Sequence, residues 1–331
     1  MNLNLKRIIN FRYLLVVVIL LIIVVSLALL TFSINIDGNL EFLITLKSSQ
    51  SQAFLTIGLG SIAAIIVAIA LNVSGEAAQS TSRNALASPF TLGLTSVMTL
   101  AYAVSGFFDG FNITYIAILS FLLMLFLNII PIYFLSVSKY QKNNNVFIFY
   151  GLSVSILINS VVNLISFFTK PMEFNILGWL TTGYIHFSSE KMIVGVSFFL
   201  VGFFIFILIA KQLHILENNY FKATSMGVNP ALLHVISLIA ISLMAIAGFV
   251  VYAPLTLLGF AIPYITKRYL IGQYDLRLSV LPSSLMSISI TLLAYIMHIY
   301  LHTDMNVMMV LIMVPAIGLM MFKKDILQCA R

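Results

Sequence analysis

The chain has 331 residues, of which 61% are hydrophobic and only 8% are charged. A soluble domain carries about 25% charged residues, so this composition excludes an ordinary water-soluble protein and predicts one that lies in lipid. The formal net charge of +7 is interpreted as the loop charge that orients membrane proteins, and not as a surface for nucleic acid.

The first apolar segment, residues 13–32, is long enough to cross a membrane. It follows Lys6, Arg7 and Arg12 and contains twenty residues. A helix of that length extends about 30 Å, the thickness of a bilayer's hydrocarbon core. A secretory signal has a shorter apolar core, and no small-residue cleavage site follows here. We therefore expect an anchor that stays in the membrane.

Nine further apolar segments follow, so the sequence predicts about ten transmembrane helices. Fourteen of the 17 Lys and Arg residues fall on the side that holds both termini, which the positive-inside rule assigns to the cytoplasm. We expect an all-α polytopic membrane protein with a single transmembrane domain over residues 1–331. The predicted spans are 13–32, 54–74, 91–108, 113–136, 146–168, 192–212, 232–252, 254–271, 279–300 and 306–322.

A polar segment, residues 75–93 (GEAAQSTSRNALASPFTLG), interrupts the apolar chain after the second span. From the residues alone it is a polar loop that leads into a helix, with Ser88 as the N-cap and Pro89 in the first turn. Glu76 is an acidic residue at the end of a span, and we expect it to pair with Arg83. A charge at the gate of a transport path is the alternative.

The same segment resembles the signature of the iron-siderophore and cobalamin permeases of ABC importers. The family pattern is G-x-x-x-Q-x-x-x-R-N-P-L-A-x-P-x-x-L-G, and Ala85 replaces the proline between Asn and Leu. The resemblance implies a type II ABC importer permease. It also implies a motif at the cytoplasmic mouth, which we call the mouth motif: Gly75, Gln79, Arg83, Asn84, Pro89 and Gly93.

The fifth span carries polar residues at spacings that place them on one helical face. Asparagine is costly against lipid and usually faces protein or a water-filled cavity. From the residues alone, hydrogen bonding between helices and the lining of a path are both open. The family resemblance implies that this span lines the translocation path. We call these residues the pathway stripe: Ser155, Asn159, Asn163 and Ser166.

The segment ILGWLTTG, between the fifth and sixth spans, contains the only tryptophan, Trp179. It resembles a W-x-x-G element in the family's outer loop before the sixth span. Two interpretations of Trp179 stay open, an anchor at the membrane interface and a contact with a partner protein.

The sixth and seventh spans are joined by a polar connection, residues 215–231, which we call the coupling loop. It resembles the family's A-x-S-L-G-V-N stretch, where short helices enter a groove of the ATPase subunit. Tyr220 and Phe221 replace the acidic pair usual there, and this aromatic character favours a docking surface. The residues assigned to ATPase coupling are Phe221, Ala223, Ser225, Gly227, Val228 and Asn229.

A second block, residues 253–272 (APLTLLGFAIPYITKRYLIG), resembles the family's G-P-I-G-F-V-G-L-V-V-P-H-I-A-R-R segment. Tyr264 stands where the family has histidine, so no histidine chemistry is implied. Proline removes a backbone donor from a helix. We expect helix breaks at Pro254, Gly259 and Pro263.

The chain itself is expected to carry out no catalysis. No Walker A pattern (GxxxxGK[ST]) occurs, so ATP is expected to bind a separate ATPase chain. The five histidines are scattered and the one cysteine is Cys329. We therefore expect neither a metal site nor a cofactor in this chain.

The resemblance implies a multi-pass permease of the bacterial cytoplasmic membrane that takes up a metal chelate, foremost a ferric siderophore. The expected partners are an ABC ATPase dimer, a substrate-binding lipoprotein or periplasmic protein, and a second permease, either another copy or a sister chain. The alternatives are a permease for divalent metals, cobalamin or haem, and an ion-coupled secondary transporter.

Overall fold

The computed structural model describes residues 3–33, 51–105, 112–137, 146–168, 189–252, 255, 257–271, 276–301 and 303–329. Within these ranges the chain is helical and contains no β-strand. This confirms the predicted all-α class. Trp179 and Pro254 lie outside the described residues, so the expectations for these two positions stay predictions.

The helices are numbered here in chain order. α4 contains a π-helical turn at Leu125–Ile129, and α9 continues as a π-helical segment at Thr266–Ile271. The bounds are α1 Leu3–Ser33, α2 Ser51–Ser82, α3 Leu94–Ser105, α4 Ile113–Val137, α5 Val146–Phe168, α6 Ser189–Asn218, α7 Tyr220–Ser225, α8 Pro230–Tyr252, α9 Leu258–Ile265, α10 Leu276–Leu301 and α11 Met305–Cys329.

Within the described part of the chain, six helices are long and apolar enough to cross a membrane: α2, α4, α5, α6, α8 and α10. Shorter apolar stretches lie in α1, α3 and α11. Helices suit this role because all their backbone polar groups are bonded internally. The chain is a multi-pass membrane protein, while the count of ten crossings and the cytoplasmic side of the termini stay predictions.

Helices α2 and α8 form the centre of the bundle. Most of the apolar stretch of each is buried, 72% and 78%, against 22% in α5 and α6. Small side chains let helix backbones approach closely in a membrane protein. α2 has such residues along its length, and these are fully buried: Ala63, Ala64, Ala68, Ala70, Ala77 and Ala78.

Polar side chains join α2 to α10 inside this bundle. Asn72 Nδ2 donates to Ser283 Oγ at 2.8 Å. One turn further along α2, the Glu76 carboxylate accepts hydrogen bonds from Ser279 and Ser283. Buried polar groups in a membrane bundle need such partners because lipid offers none. α10 therefore holds the end of α2 that carries the mouth motif.

Candidate functional site

The polar segment after the second predicted span begins as helix and not as a loop. Helix α2 continues to Ser82, and Gln79, Thr81 and Ser82 are buried in its last turns. The hydroxyls of Thr81 and Ser82 each donate to the carbonyl four residues earlier at 2.7 Å. Their polarity is thus satisfied within the helix, which is why a polar stretch here does not end it.

Arg83 ends α2 in the left-handed backbone conformation. Its φ is 50°, a region that costs a non-glycine residue about 1–2 kcal/mol. The N–H of Asn84 donates back to the carbonyl of Gln79 at 3.1 Å, which is the long-range bond of a Schellman C-cap. The chain therefore leaves α2 in a sharp turn at this arginine.

Residues 84–93 form consecutive turns, and α3 begins only at Leu94. Ser88 Oγ accepts the N–H of Thr91 at 3.1 Å, as an N-cap would, but it caps one of these turns. Pro89 was expected in the first helical turn; instead it is buried among the turns, and its carbonyl accepts the N–H of Leu94 at 3.0 Å. The helix starts late because Gly93 has a φ of 80°, which is not helical.

Gly75 and Gly259 bring the backbones of α2 and α9 into contact. A Cβ on Gly75 would lie 1.8 Å from the carbonyl oxygen of Gly259, far closer than any side chain tolerates. Pro263 lies one turn after Gly259 and has no N–H, so it cannot donate to that oxygen. The oxygen instead faces a Cα–H of Gly75, a weak hydrogen bond that recurs where helices cross closely.

The structure contradicts the helix breaks expected at Gly259 and Pro263. Gly259 and Pro263 both lie inside α9, which runs unbroken from Leu258 to Ile265. Pro263 has no N–H to donate to the carbonyl of Gly259, but the helix continues past it. The missing bond leaves that carbonyl available to the neighbouring helix, and the π-helical segment begins only at Thr266.

Gln79 and Pro89 complete the junction between the two helices. Gln79 Nε2 donates to the carbonyl oxygen of Phe260 at 3.0 Å. A Cβ on Gly259 would come within 3.3 Å of Pro89 Cδ. Gly75 and Gln79 are one turn apart and face the same turn of α9. The mouth motif and the second sequence block therefore form a single packed unit.

Gly93 packs against α5 at a glycine that sequence reasoning missed. A Cβ on Gly93 would lie 2.8 Å from the carbonyl oxygen of Gly151, and one on Gly151 would lie 2.5 Å from that of Thr91. An isolated glycine in an apolar helix gives no sign of its partner, so nothing in the sequence pointed to Gly151. Ser155, one turn further along α5, lies at the same contact, since a Cβ on Gly93 would come within 3.3 Å of its Oγ.

Arg83 contacts α7. Its guanidinium carbon lies 5.1 Å from the centre of the Tyr220 ring, within cation–π range. Burial lowers the pKa of Arg83, and an arginine still stays protonated at neutral pH. The mouth motif thus touches the first residue of the helix in the coupling loop.

Glu76 was expected to pair with Arg83, but the structure gives its carboxylate other partners. Its carboxylate accepts hydrogen bonds from Ser279 at 2.8 Å and from Ser283. Glu76 and Arg83 are two helical turns apart, a rise of about 10 Å. That distance separates the two side chains along α2, and α10 supplies the nearer partners.

A partly buried ion pair lies beside the mouth motif, and sequence reasoning missed it too. Lys267 Nζ lies 3.0 Å from Glu217 Oε1, and Ser80 Oγ donates to Glu217 Oε2 at 2.8 Å. A cavity of about 200 Å³ adjoins the pair and is also lined by Gln79, Arg83 and Asn84. The pair joins residues fifty positions apart, so local spacing could not indicate it.

The coupling loop owes its shape to residues assigned to ATPase coupling. Ala223 is buried, and its carbonyl accepts the N–H of Val228 at 3.1 Å. Gly227 has a φ of 82°, which favours glycine. Asn229 Oδ1 accepts the N–H of Ala231 at 3.1 Å and caps α8. These residues fold the loop tightly between α7 and α8.

Other residues of the coupling loop point outward. Phe221 is 69% exposed, Met226 is 58% exposed, and Ser225 is exposed as well. Apolar side chains gain by leaving water, and aromatic residues and methionine are enriched at protein interfaces. The assignment of Phe221 and Ser225 to an ATPase interface stays a prediction. Such an interface requires exposed side chains, and both of these are exposed.

The pathway stripe lies along α5 at the edge of its buried face. Ser155 is buried and donates to the carbonyl of Gly151 at 2.9 Å. Asn159 and Asn163 are exposed, and Ser166 lies further along the same helix. Hydrogen bonds to the other described helices of this chain therefore do not account for the two asparagines.

These features define an all-α, multi-pass membrane protein. The chain belongs to the FecCD transport family, whose family model matches residues 17–324. The family comprises permease subunits of ABC transporters, which do not themselves carry out catalysis.

Several known proteins are similar to this chain. It is 28% identical over 230 residues, 67% of either chain, to the "Probable iron chelatin transport system permease protein" of Helicobacter pylori strain J99. It is 24% identical over 235 residues, 68% of either chain, to the Fe(3+) dicitrate transport system permease protein FecC of Escherichia coli strain K12. A solved structure described as "An inward-facing conformation of a putative metal-chelate type ABC transporter" has a TM-score of 0.79 at 20% identity, covering 93% of this chain and 98% of that chain.

Proposed function

We propose that this chain is the permease subunit of an ATP-driven importer that takes up a ferric chelate, foremost a ferric siderophore. The observation that carries the proposal is the contact of Arg83 with Tyr220, which joins the mouth motif to a helix with an exposed aromatic residue, Phe221. The names of the relatives, which refer to iron chelatin and ferric dicitrate, support iron as the metal.

In this proposal a separate ATPase dimer binds the coupling loop. Nucleotide binding drives transport only if it favours one of two arrangements of the helices. Phe221 and Met226 would enter the ATPase, because their exposed apolar surface gains from burial. The contacts of α7 with the end of α2 would then pass the movement to the membrane helices.

The path itself would run along α5 between two permease copies, this chain and either a second copy or a sister chain. Asn159 and Asn163 are exposed in the single chain, and a primary amide against lipid is costly. A polar but uncharged lining suits a bulky chelate, because it solvates the ligand without ligating the metal. A substrate-binding lipoprotein or periplasmic protein would deliver the chelate to the outer face, where Trp179 is predicted to lie.

A permease for bare divalent metals is a weaker candidate. Such a path is expected to present carboxylate or imidazole ligands. Glu76 is fully buried, and its carboxylate is engaged by serines of α10. No group of three or more His, Cys, Asp or Glu residues that could hold a metal occurs within the described ranges.

Transport by purified components tests the proposal. The permease would be reconstituted in proteoliposomes with the ATPase and the binding protein, and uptake of a radioactive ferric siderophore would be measured with and without ATP. We expect uptake only with ATP and with an ATPase able to hydrolyse it. Uptake that persists without the ATPase would favour an ion-coupled transporter, and parallel assays with haem, cobalamin and ferric citrate identify the preferred chelate.

A further inference from the structure

The ion pair between Glu217 and Lys267 lies where the coupling loop meets the membrane helices. Glu217 is the second-last residue of α6, and Asn219, which caps α7, follows Asn218 directly. Both carboxylate oxygens of Glu217 are used, one by Ser80 of α2 and one by Lys267 in the π-helical segment after α9. The carboxylate therefore connects the base of α7 to two other helices at once.

Those two helices are themselves joined. Gly75 of α2 meets Gly259 of α9 backbone to backbone, and Gln79 adds a hydrogen bond to Phe260. Contacts between backbones leave no side chain that can change rotamer, so α2 and α9 should move as a unit. Glu217 is attached to both parts of this unit, close to the contact of Arg83 with Tyr220.

The connection also reaches α10. Glu76 of α2 accepts hydrogen bonds from Ser279 and Ser283 of α10. The side chains of Lys267 and Glu217 are only 7% and 17% exposed. Removing one partner of a largely buried pair leaves the other charge with less compensation, so such a pair resists separation.

We propose that Glu217 is a positioning residue for energy coupling, through which a displacement of α7 is passed to the unit formed by α2 and α9. The inference rests on the proposed ATP-driven function and names the residue that links docking to helix movement. In this proposal Glu217 acts through Lys267 and Ser80 and not by binding nucleotide or chelate. Its role is to keep the coupling loop and the unit formed by α2 and α9 from moving independently.

The test measures how much chelate is carried per ATP hydrolysed, in proteoliposomes that hold the full chain, the ATPase and the binding protein. Glu217→Gln keeps an oxygen for Ser80 but loses the charge that holds Lys267. Residues along a coupling network change coupling by about two- to thirtyfold, and we expect a fall in the ratio within that range. The ATP hydrolysis rate should stay within about twofold, since the exposed docking face is unaltered.

Two further variants separate positioning from a merely structural role. Glu217→Lys combined with Lys267→Glu restores an ion pair with its charges exchanged, and we expect it to recover part of the lost ratio. Glu190→Gln makes the same substitution at the other, exposed end of α6, and it should keep the wild-type ratio.

The outcomes are distinct. A wild-type ratio in Glu217→Gln overturns the inference, and so does a fall that the exchanged pair leaves unchanged. If Glu217→Gln does not accumulate, Ser80→Ala removes the other hydrogen bond of the carboxylate; a lowered ratio there supports the inference and an unchanged one overturns it. Absence of ATP-dependent uptake by the wild type instead refutes the proposed function, and the coupling role with it.

Discussion

Replacing Gly75 by alanine probes the contact between α2 and α9 most directly. The added Cβ would lie 1.8 Å from the carbonyl oxygen of Gly259, whereas real Cβ atoms essentially never come within 3.0 Å of such an atom. The helices would have to separate by roughly 1 Å or more, because packed backbone has no rotamer to change. Overpacking costs about 1–3 kcal/mol, and loss of the nearby bond from Gln79 to Phe260 adds about 1 kcal/mol. The gain of about 0.5–1 kcal/mol from alanine over glycine in a helix offsets part of this, so we expect a net destabilisation of about 1–3.5 kcal/mol.

The assay is thermal unfolding of the purified permease in detergent. Gly318→Ala is the matched control, because Gly318 also lies in a helix and a Cβ there meets no atom of the described residues within 4 Å. Alanine is favoured over glycine in a helix by about 0.5–1 kcal/mol, so this variant should unfold no lower than the wild type. Equal unfolding temperatures for Gly75→Ala and the wild type would refute the close crossing.

Three further changes address the mouth motif, the coupling loop and the pathway stripe. Arg83→Gly relieves about 1–2 kcal/mol of backbone strain and loses about 0.5–2 kcal/mol of cation–π contact with Tyr220. The unfolding temperature should therefore change little while ATP-driven uptake falls. Wild-type uptake would mean that Arg83 only ends the helix. Gly227→Arg should abolish uptake at normal membrane levels by blocking the ATPase interface, whereas Gly227→Asn, which tolerates the same backbone, should retain most of it; equal uptake by both would contradict docking at this position. Asn159→Leu should reduce chelate uptake more than protein accumulation, with the exposed neighbour Ile156→Leu as control, and a protein that simply fails to accumulate would indicate a structural role instead.

Much of the fold followed from composition and pattern alone. With 61% hydrophobic and 8% charged residues, no soluble surface can form, and helices are the form in which a single apolar segment satisfies its own backbone. The spacing of Gly75, Gln79, Arg83 and Pro89 indicated the family, and the family model confirms it. Hydrophobic segments and short motifs can be recognised from the sequence because they depend on the surrounding solvent and on residues close in sequence.

Local signals failed to show where polar side chains find their hydrogen-bond partners. Ser80, Thr81 and Ser82 looked like a loop, but two of the three satisfy their hydroxyls on α2 itself and Ser80 on Glu217. Glu76 was expected to bind the arginine nearest in sequence and instead binds serines of α10. A polar side chain in a membrane bundle takes whichever partner the packing places beside it.

Sequence alone was enough to identify a helical membrane permease and the segments that carry its family motifs. The packed bundle was needed to show that Gly75 meets Gly259, that Pro263 leaves a carbonyl for that contact instead of breaking a helix, and that Glu217 joins Lys267. The reason is geometric. Hydrophobicity and spacing report on one helix at a time, whereas the rotation and depth of each helix, and therefore its partners, are set by close packing of the whole bundle.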